Sequence, residues 1–240
     1  MDISGITKAA RKVLKLKYCG AVIVAAGAAS RMQGIDKVMA PLSGEAVIRR
    51  TVRAFQECDA IREIVVVTRQ ELIVPVMDLC SEFDKLKAVV VGGEDRVASV
   101  NAGLNALSDK VKLAAIHDGA RPLVSWQLID RVVRAANSYG AAAPAIPVKD
   151  TVKEVRGGVV IQTPDRQTLR AVQTPQVFDF DLLRGALKKA VEDKAQITDD
   201  CSAVERMGMS VKIVDGDEKN LKITTPMDLR IAQMLLEETL

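Results

Sequence analysis

Short apolar runs alternate along the chain with segments in which apolar residues recur at helical spacing. The runs predict β-strands at 21–24, 64–67, 88–91, 113–116 and 141–146. Strands that alternate with helices at this spacing form right-handed βαβ units. The pattern therefore predicts an α/β domain with a mainly parallel sheet and helices on both faces.

The segments between the strands each present one apolar face. Three helices are predicted in this way, and the third begins after Ser125 as its N-cap. Their apolar faces consist of Val47, Ile48, Val52 and Phe55 in the first helix, Val97, Val100, Leu104 and Leu107 in the second, and Leu128, Ile129, Val132, Val133 and Ala136 in the third. A fourth helix is predicted at about 179–190, with a buried side made of Leu182, Leu183, Ala186, Leu187, Ala190 and Val191. A strand at 211–214 and a C-terminal helix that starts at Pro226 complete the pattern.

The alternation of strands and helices stops after Pro147. Residues 151–155 and 159–162 flank a glycine-containing turn at 156–158, which predicts a β-hairpin. The segment is polar, so we expect it to project from the domain. No repeat or linker divides the chain, and the prediction is one domain over 19–240 with an arm at about 149–175.

The positive charge of the chain is concentrated near its N-terminus. The net charge is +3 at pH 7, but residues 1–18 hold five Lys or Arg against one Asp, which leaves about −1 on the rest. The rest therefore gives no sign of a nucleic-acid-binding surface. Residues 1–18 fit a short basic amphipathic helix without the apolar core of a secretory signal, and we interpret them as a surface appendage.

Composition and cysteine usage narrow the class of protein. With 48% apolar and 27% charged residues, the chain has the composition of a soluble globular protein. No apolar run approaches the roughly 20 residues of a membrane span, so no membrane partner is expected. Four widely spaced cysteines (Cys19, Cys58, Cys80 and Cys201) predict buried free thiols and a cytoplasmic location. His117 is the only histidine, which excludes a histidine-rich metal centre and favours a structural role for it.

The turn after the first strand carries the first candidate chemistry. Residues 21–37 read AVIVAAGAASRMQGIDK, a strand that ends in small residues and is followed by Arg31 and Lys37. Small residues let backbone N–H groups approach a phosphate chain, and cations stabilise the charge that develops at phosphorus. Neither the P-loop spacing nor the dinucleotide-binding spacing of glycines is present. An ordinary strand-to-helix turn is the alternative, but the two cations favour a nucleoside-triphosphate site with chemistry at phosphorus.

Two further strand ends are expected at the same edge of the sheet. Glycines at 92–93 would allow a planar base to approach, and the Ser99 hydroxyl would read its edge. Asp118 would hold a ribose hydroxyl, a polyol or Mg²⁺, and Arg121 would bind phosphate or fix its loop. Taken alone, the segment at 92–96 is more typical of a charged surface loop, and a lone Asp at a strand end is often only a helix cap or a hydrogen-bond acceptor in a loop.

Together these segments resemble one family closely. The motifs A-A-G-x-x-x-R-M, G-G-x-x-R-x-x-S-V, H-D-x-A-R-P, P-V-x-D-T-V-K, T-P-Q-x-F, I-T-D-D and N-x-K-I-T-x-P-x-D-L occur in this order over about residues 20–236. The chain thereby resembles the 2-C-methyl-D-erythritol 4-phosphate cytidylyltransferases of the non-mevalonate isoprenoid pathway. The resemblance implies a Rossmann-like nucleotidyltransferase domain whose protruding β-arm interlocks two subunits in a homodimer.

The resemblance also implies a role for each matching residue. The implied nucleotide-binding residues, which line the CTP site or contact cytosine, are Ala25, Ala26, Gly27, Gly93, Glu94 and Ser99. The implied catalytic residues, which hold charge at the reacting phosphates, are Arg31, Lys37, Arg166 and Lys222. The implied substrate-binding residues, close to the polyol phosphate, are Asp118, Arg121, Thr151 and Thr198. Arg166 and Thr151 lie on the matching arm and would reach a neighbouring subunit's site. Mg²⁺ would be held mainly by the CTP phosphates, with Asp118 as a candidate ligand.

The implied reaction joins CTP and 2-C-methyl-D-erythritol 4-phosphate and releases pyrophosphate. The chain departs from the family pattern at 36–38, where Asp-Lys-Val stands in place of Pro-Lys-Gln, and at Asp200, where Glu is common. Two alternatives stay open. One is a cytidylyltransferase that uses another polyol phosphate, especially ribitol 5-phosphate. The other is a non-catalytic nucleotide-binding module.

Overall fold

The computed structural model describes residues 15–27 and 36–237. In this part of the chain the strands are β1 (Cys19–Val24), β2 (Pro41–Leu42), β3 (Glu45–Ala46), β4 (Ile61–Thr68), β5 (Leu86–Val91), β6 (Leu113–Asp118), β7 (Ala141–Pro147), β8 (Glu154–Arg156), β9 (Val159–Gln162), β10 (Arg170–Val172), β11 (Gln176–Asp179) and β12 (Lys212–Asp215). The helices are α1 (Val47–Glu57), α2 (Ile73–Leu79), α3 (Arg96–Ala106), α4 (Trp126–Tyr139), α5 (Phe180–Glu192), α6 (Asp200–Glu205) and α7 (Pro226–Glu237).

The central sheet is mostly parallel, as predicted. Its strands follow the order β10–β7–β11–β6–β1–β4–β5, and β12 pairs with β7 off this path. Strand β1 runs parallel to β4 and β6, and β4 runs parallel to β5. The exceptions are β11, which lies antiparallel between β6 and β7, and β10 at the edge. All five strands predicted from apolar runs are present, each one to four residues longer than the run.

Helices cover both faces of the sheet, which explains why its central strand β1 is almost entirely apolar and buried. On β1, Ala21 and Ile23 belong to a core cluster that includes residues of α1, α2 and α4. Val22, between them, belongs to a second cluster with residues of α3, α5 and α6. The arrangement is a Rossmann-like α/β fold, and the sequence-based fold class is confirmed.

The helix ends follow their local sequence signals. The Ser125 side chain accepts a hydrogen bond from the N–H of Leu128, so the predicted N-cap of α4 is confirmed. Helix α7 begins at Pro226, and the Asp228 carboxylate in its first turn accepts hydrogen bonds from the N–H groups of the two preceding threonines. One residue of the predicted buried side of α5 is misplaced: Val191 is exposed, because α5 is near its end there.

The hairpin β8–β9 forms a separate two-stranded sheet. Its turn places Gly157 at φ +56° and Gly158 at φ +82°, the left-handed conformations that a tight hairpin turn requires. The hairpin is less polar than its sequence pattern indicated, since its outward side chains include Val155, Val159–Val160 and Ile161, each more than half exposed. These side chains leave apolar surface uncovered, and an isolated two-stranded hairpin is at best marginally stable in water.

The two ends of the chain extend beyond the described residues. Of the predicted appendage, residues 1–14 lie outside the described part, whereas residues 15–18 already contact the domain. Lys17 forms an ion pair with Asp179 at 3.0 Å, and Leu16 packs against the core. Among the helices within 15–27 and 36–237, none is both long and apolar enough to span a bilayer.

His117, near the end of β6, is fully buried and occupies a structural position. Its ring lies 4.9 Å from that of Phe55. Both ring nitrogens have partners: Nδ1 is 3.0 Å from Oγ1 of Thr174, and Nε2 is 3.3 Å from the carbonyl oxygen of Arg121. Burial lowers the pKa of His117 from 6.5 to about 3, so the folded protein holds a neutral imidazole.

We expect the stability of the protein to fall as the pH drops below about 6.5. The unfolded chain protonates His117 near that pH, whereas the folded chain protonates it only near pH 3. Stability is therefore full above pH 6.5 and declines toward pH 3, by about 2 kcal/mol between pH 7.5 and pH 5. Urea unfolding across this range measures the decline, and the variant His117→Phe, which has no histidine left, should lack most of it. Equal pH slopes for the two proteins would contradict the burial argument.

Gly103 brings α3 into close contact with the sheet. A Cβ at position 103 would overlap Cγ1 of Val22 and lie 2.8 Å from Cγ2 of Val67. Gly103→Ala should therefore destabilise the fold by about 1–3 kcal/mol despite the better helix propensity of alanine. Gly185→Ala in α5 is the matched control, since nothing lies within 4 Å of a Cβ there, and it should be neutral or stabilising by about 0.5–1 kcal/mol. Urea midpoints compare the two, and a Gly103→Ala variant as stable as the control would contradict this packing.

Candidate active site

The loops that follow β1, β5 and β6 meet at one edge of the sheet and enclose a cavity of about 410 Å³. Parallel strands bring their carboxyl ends together, which is where ligands bind in open α/β sheets. The segment before α7 closes the far side through Lys222. Nine of the predicted site residues line this cavity: Ala25, Ala26, Gly27, Lys37, Gly93, Glu94, Ser99, Asp118 and Lys222.

The nucleotide side of the cavity is built from two closely packed loops. A Cβ on Gly93 would overlap the side chain of Ala98, so only glycine lets this loop lie against the start of α3. The Ser99 hydroxyl is buried and accepts a hydrogen bond from the N–H of Gly93 at 3.2 Å. Ser99 thus holds the glycine loop in place. The same loop ends at Asp95, whose carboxylate caps α3 by accepting from the N–H of Ala98.

Lys37 lies on the cavity wall at the point where the chain departs from the family pattern. The preceding Asp36 accepts a hydrogen bond from the N–H of Val38 at 3.0 Å and forms an ion pair with Arg69. These contacts fix the backbone around Lys37. The departure at Asp36 is therefore compatible with a cation at this position.

Asp118, at the end of β6, is the electrostatic centre of the cavity. Its carboxylate contacts Arg96 at 2.8 Å, Lys222 at 2.9 Å and Arg121 at 3.5 Å. Burial raises the pKa of Asp118, but the three cations outweigh burial and hold it far below its usual range. Asp118 is therefore an ionised carboxylate at every physiological pH.

Arg96 continues this network away from the cavity. Its guanidinium bridges Asp118 and the fully buried Asp200, which it contacts at 2.7 Å. In the sequence, Arg96 lies inside the motif G-G-x-x-R-x-x-S-V without a predicted role, and Asp200 differs from the family pattern. The motif was the only sequence feature that pointed to Arg96. Its two carboxylate partners lie 22 and 104 residues away, so no local pattern links them to it.

Asp118 does not fit as a magnesium ligand in this arrangement. Oδ1 already contacts Arg96, and Oδ2 contacts Lys222 and Arg121, so a divalent cation would have to approach three positive charges. Within the described residues there is also no group of three or more His, Cys, Asp or Glu side chains that would hold a metal ion. The magnesium requirement stays a prediction.

Three predicted site residues are not brought into this cavity, and a fourth, Arg31, lies outside the described residues. Thr151, Arg166 and Thr198 are exposed and do not line the cavity. Arg166 follows the hairpin, and its guanidinium donates a hydrogen bond to the carbonyl of Lys149 at 2.8 Å. The remaining residue, Arg121, lies behind Asp118 and also donates to the carbonyl of Asn220 at 2.7 Å.

Comparison with known proteins identifies the family. The family described as "IspD: 2-C-methyl-D-erythritol 4-phosphate cytidylyltransferase" matches residues 19–238. A relative of that name from Caldanaerobacter subterraneus subsp. tengcongensis is 43% identical over 91% of this chain and 98% of its own. Another from Symbiobacterium thermophilum is 44% identical over 90% of this chain and 92% of its own.

Solved structures agree with the sequence relatives. The crystal structure of a 4-diphosphocytidyl-2C-methyl-D-erythritol synthase from Anaerococcus prevotii covers 93% of this chain and 98% of its own, with a TM-score of 0.85 and 30% identity. A 2-C-methyl-D-erythritol 4-phosphate cytidylyltransferase from Thermus thermophilus covers 90% and 98%, with a TM-score of 0.76 and 32% identity. With these similarities extending over almost the whole chain and the site's motifs, the protein belongs to the 2-C-methyl-D-erythritol 4-phosphate cytidylyltransferase family.

Proposed function

We propose that the protein is a cytidylyltransferase that joins CTP to 2-C-methyl-D-erythritol 4-phosphate. The products are 4-diphosphocytidyl-2-C-methyl-D-erythritol and pyrophosphate, in isoprenoid precursor biosynthesis. The observation that carries the proposal is one cavity with two unlike sides. Small-residue loops at Ala25–Gly27 and Gly93 suit a nucleotide, and the cations around Asp118 suit a second, anionic substrate.

The chemistry needs charge and alignment, and it needs no general base. An oxygen of the polyol phosphate attacks the α-phosphorus of CTP, a new P–O bond forms, and the bond to the leaving pyrophosphate breaks. The attacking phosphate is already ionised at neutral pH, so no proton has to be removed first. Lys37 would stabilise charge at the α-phosphate, and Lys222 would orient the attacking phosphate. His117 is buried and neutral, which fits a reaction without a histidine base.

A divalent cation would reach this site on the nucleotide. Bound to the CTP phosphates, Mg²⁺ would neutralise part of their charge and of the charge on pyrophosphate. The residues of this chain would do the rest: the backbone of the two loops binds the nucleotide, and the cations around Asp118 position the polyol phosphate.

We also propose that two copies of the chain form a homodimer through the hairpin. The uncovered apolar residues of β8–β9 support this, since a second subunit would bury them. Arg166 and Thr151, which flank the hairpin and lie away from their own cavity, would then complete the partner's site. The four cysteines are buried free thiols, which supports the proposal of a cytoplasmic location.

Pyrophosphate release from matched substrate pairs tests the proposed activity. With CTP, we expect turnover of 2-C-methyl-D-erythritol 4-phosphate to exceed turnover of ribitol 5-phosphate by at least about tenfold, the effect of one or two misplaced polar contacts. CTP should also be preferred over ATP, because the glycine loop at 92–93 can be shaped for the single ring of cytosine and would exclude the larger purine. Ribitol 5-phosphate as the better substrate would favour the alternative cytidylyltransferase, and no release from any pair would favour a binding module.

Lys37→Ala should lower kcat more than it raises KM for CTP. Its charge is needed most when negative charge shifts toward the leaving pyrophosphate, and loss of one such donor costs about 2–4 kcal/mol in the transition state. Steady-state kinetics measure the effect, with Lys188→Ala on the exposed side of α5 as a control of equal charge change. An increase confined to KM for CTP would make Lys37 a residue that binds only the ground state.

Subunit mixing tests the shared site. Lys37→Ala and Arg166→Ala should each be inactive as homodimers. If Arg166 acts across the interface, exchange between them creates a dimer with one intact site, and activity should recover to about a quarter of wild type. Native mass spectrometry confirms that exchange has occurred. A mixture that exchanges but stays inactive would place Arg166 in its own subunit's site.

A further inference from the structure

A largely buried ring of hydrogen bonds lies directly behind Asp118. Its members are Thr174, His117, Arg121 and Asn220. His117 and Asn220 are fully buried, and Thr174 is 4% exposed. His117, Asn220 and Thr174 have no part in the chemistry described above. Each of them, however, forms a hydrogen bond to a residue next to the cavity or lies within two residues of one.

The donors and acceptors in this set can be assigned. The Nε2 atom of His117 faces the carbonyl oxygen of Arg121, which can only accept, so Nε2 carries the proton. In the neutral ring Nδ1 is then an acceptor, and the Thr174 hydroxyl donates to it at 3.0 Å. The same hydroxyl oxygen accepts from the N–H of Asp118 at 3.1 Å. His117 thus ties the backbone on both sides of the Asp118 turn.

Asn220 closes the set from the other side. The side-chain amide nitrogen of Asn220 donates to the backbone carbonyl of Thr174 at 2.9 Å. The backbone carbonyl of Asn220 accepts from the guanidinium of Arg121 at 2.7 Å. Lys222 follows two residues later. One connected ring therefore determines where three charged side chains stand: Asp118, Arg121 and Lys222.

We infer that His117 and Asn220 are positioning residues, which hold Asp118, Arg121 and Lys222 in the arrangement that receives the polyol phosphate. Neither residue touches a substrate. The ring can act as a unit because every member has both a donor and an acceptor engaged within it. The inference rests on the proposed function only for the identity of that substrate.

Three variants of His117 separate positioning from simple packing. His117→Phe keeps the ring volume and loses both hydrogen bonds. His117→Gln can retain a donor toward the Arg121 carbonyl, and His117→Asn can retain an acceptor toward Thr174. We expect the phenylalanine variant to raise KM for 2-C-methyl-D-erythritol 4-phosphate by about 10–100-fold, with KM for CTP changed less than about twofold. The two amide variants should recover part of that loss.

A second break in the same ring should add little. Asn220→Ala alone is expected to raise KM for the polyol phosphate, but in combination with His117→Phe the effect should be clearly less than the product of the two. Combining His117→Phe with the remote Lys188→Ala should give the simple product. Multiplicative effects of His117→Phe and Asn220→Ala would mean two independent structural contributions and would overturn the inference, as would equal increases in both KM values.

Hydrogen exchange provides a test that does not depend on the substrate. In His117→Phe, amides at 118–121 and 220–222 should exchange faster, while those of α5 should keep wild-type protection. If wild-type protein releases no pyrophosphate but this local pattern appears, the proposed function fails and the positioning ring stands. Wild-type exchange at both segments, in a variant that is folded by its urea midpoint, would refute the ring.

Discussion

The rest of the site depends on one buried carboxylate held by three cations. Asp118 is nearly inaccessible to water, and a carboxylate in that position is tolerated only because Arg96, Arg121 and Lys222 surround it. The dependence is mutual, since each cation would otherwise repel the others across a few ångströms. With Asp200 paired to Arg96, these five side chains carry a net charge of about +1, which favours the binding of an anionic substrate.

The parallel direction of the central strands brings these residues together. Parallel β1, β4, β5 and β6 end at the same edge, so residues far apart in sequence meet there without a dedicated scaffold. That part is predictable from sequence, because apolar runs fix the strands and the residues just after them must share an edge. Gly27, Gly93 and Asp118 line one cavity for this reason, and their roles stay predictions.

Most parts that could not be predicted from the sequence depend on long-range pairing. Strand β11 has only four residues with polar ends, and it exists because β6 and β7 leave room for it between them. The Arg96–Asp200 pair spans 104 residues. Ser99 lines the cavity, and its contact with a base stays a prediction; its hydrogen bond to the N–H of Gly93 was not predicted from the sequence.

The unfolding free energy of Asp118→Asn, measured with urea at pH 7.5 without substrate, tests the central claim most directly. The substitution keeps the shape of the side chain and removes the charge that three cations share. Because a buried ion pair that loses one partner leaves uncompensated charge behind, we predict a loss of about 3–5 kcal/mol. A loss below about 1 kcal/mol, or a gain in stability, would show that the cations do not depend on Asp118 and would contradict this account of the site.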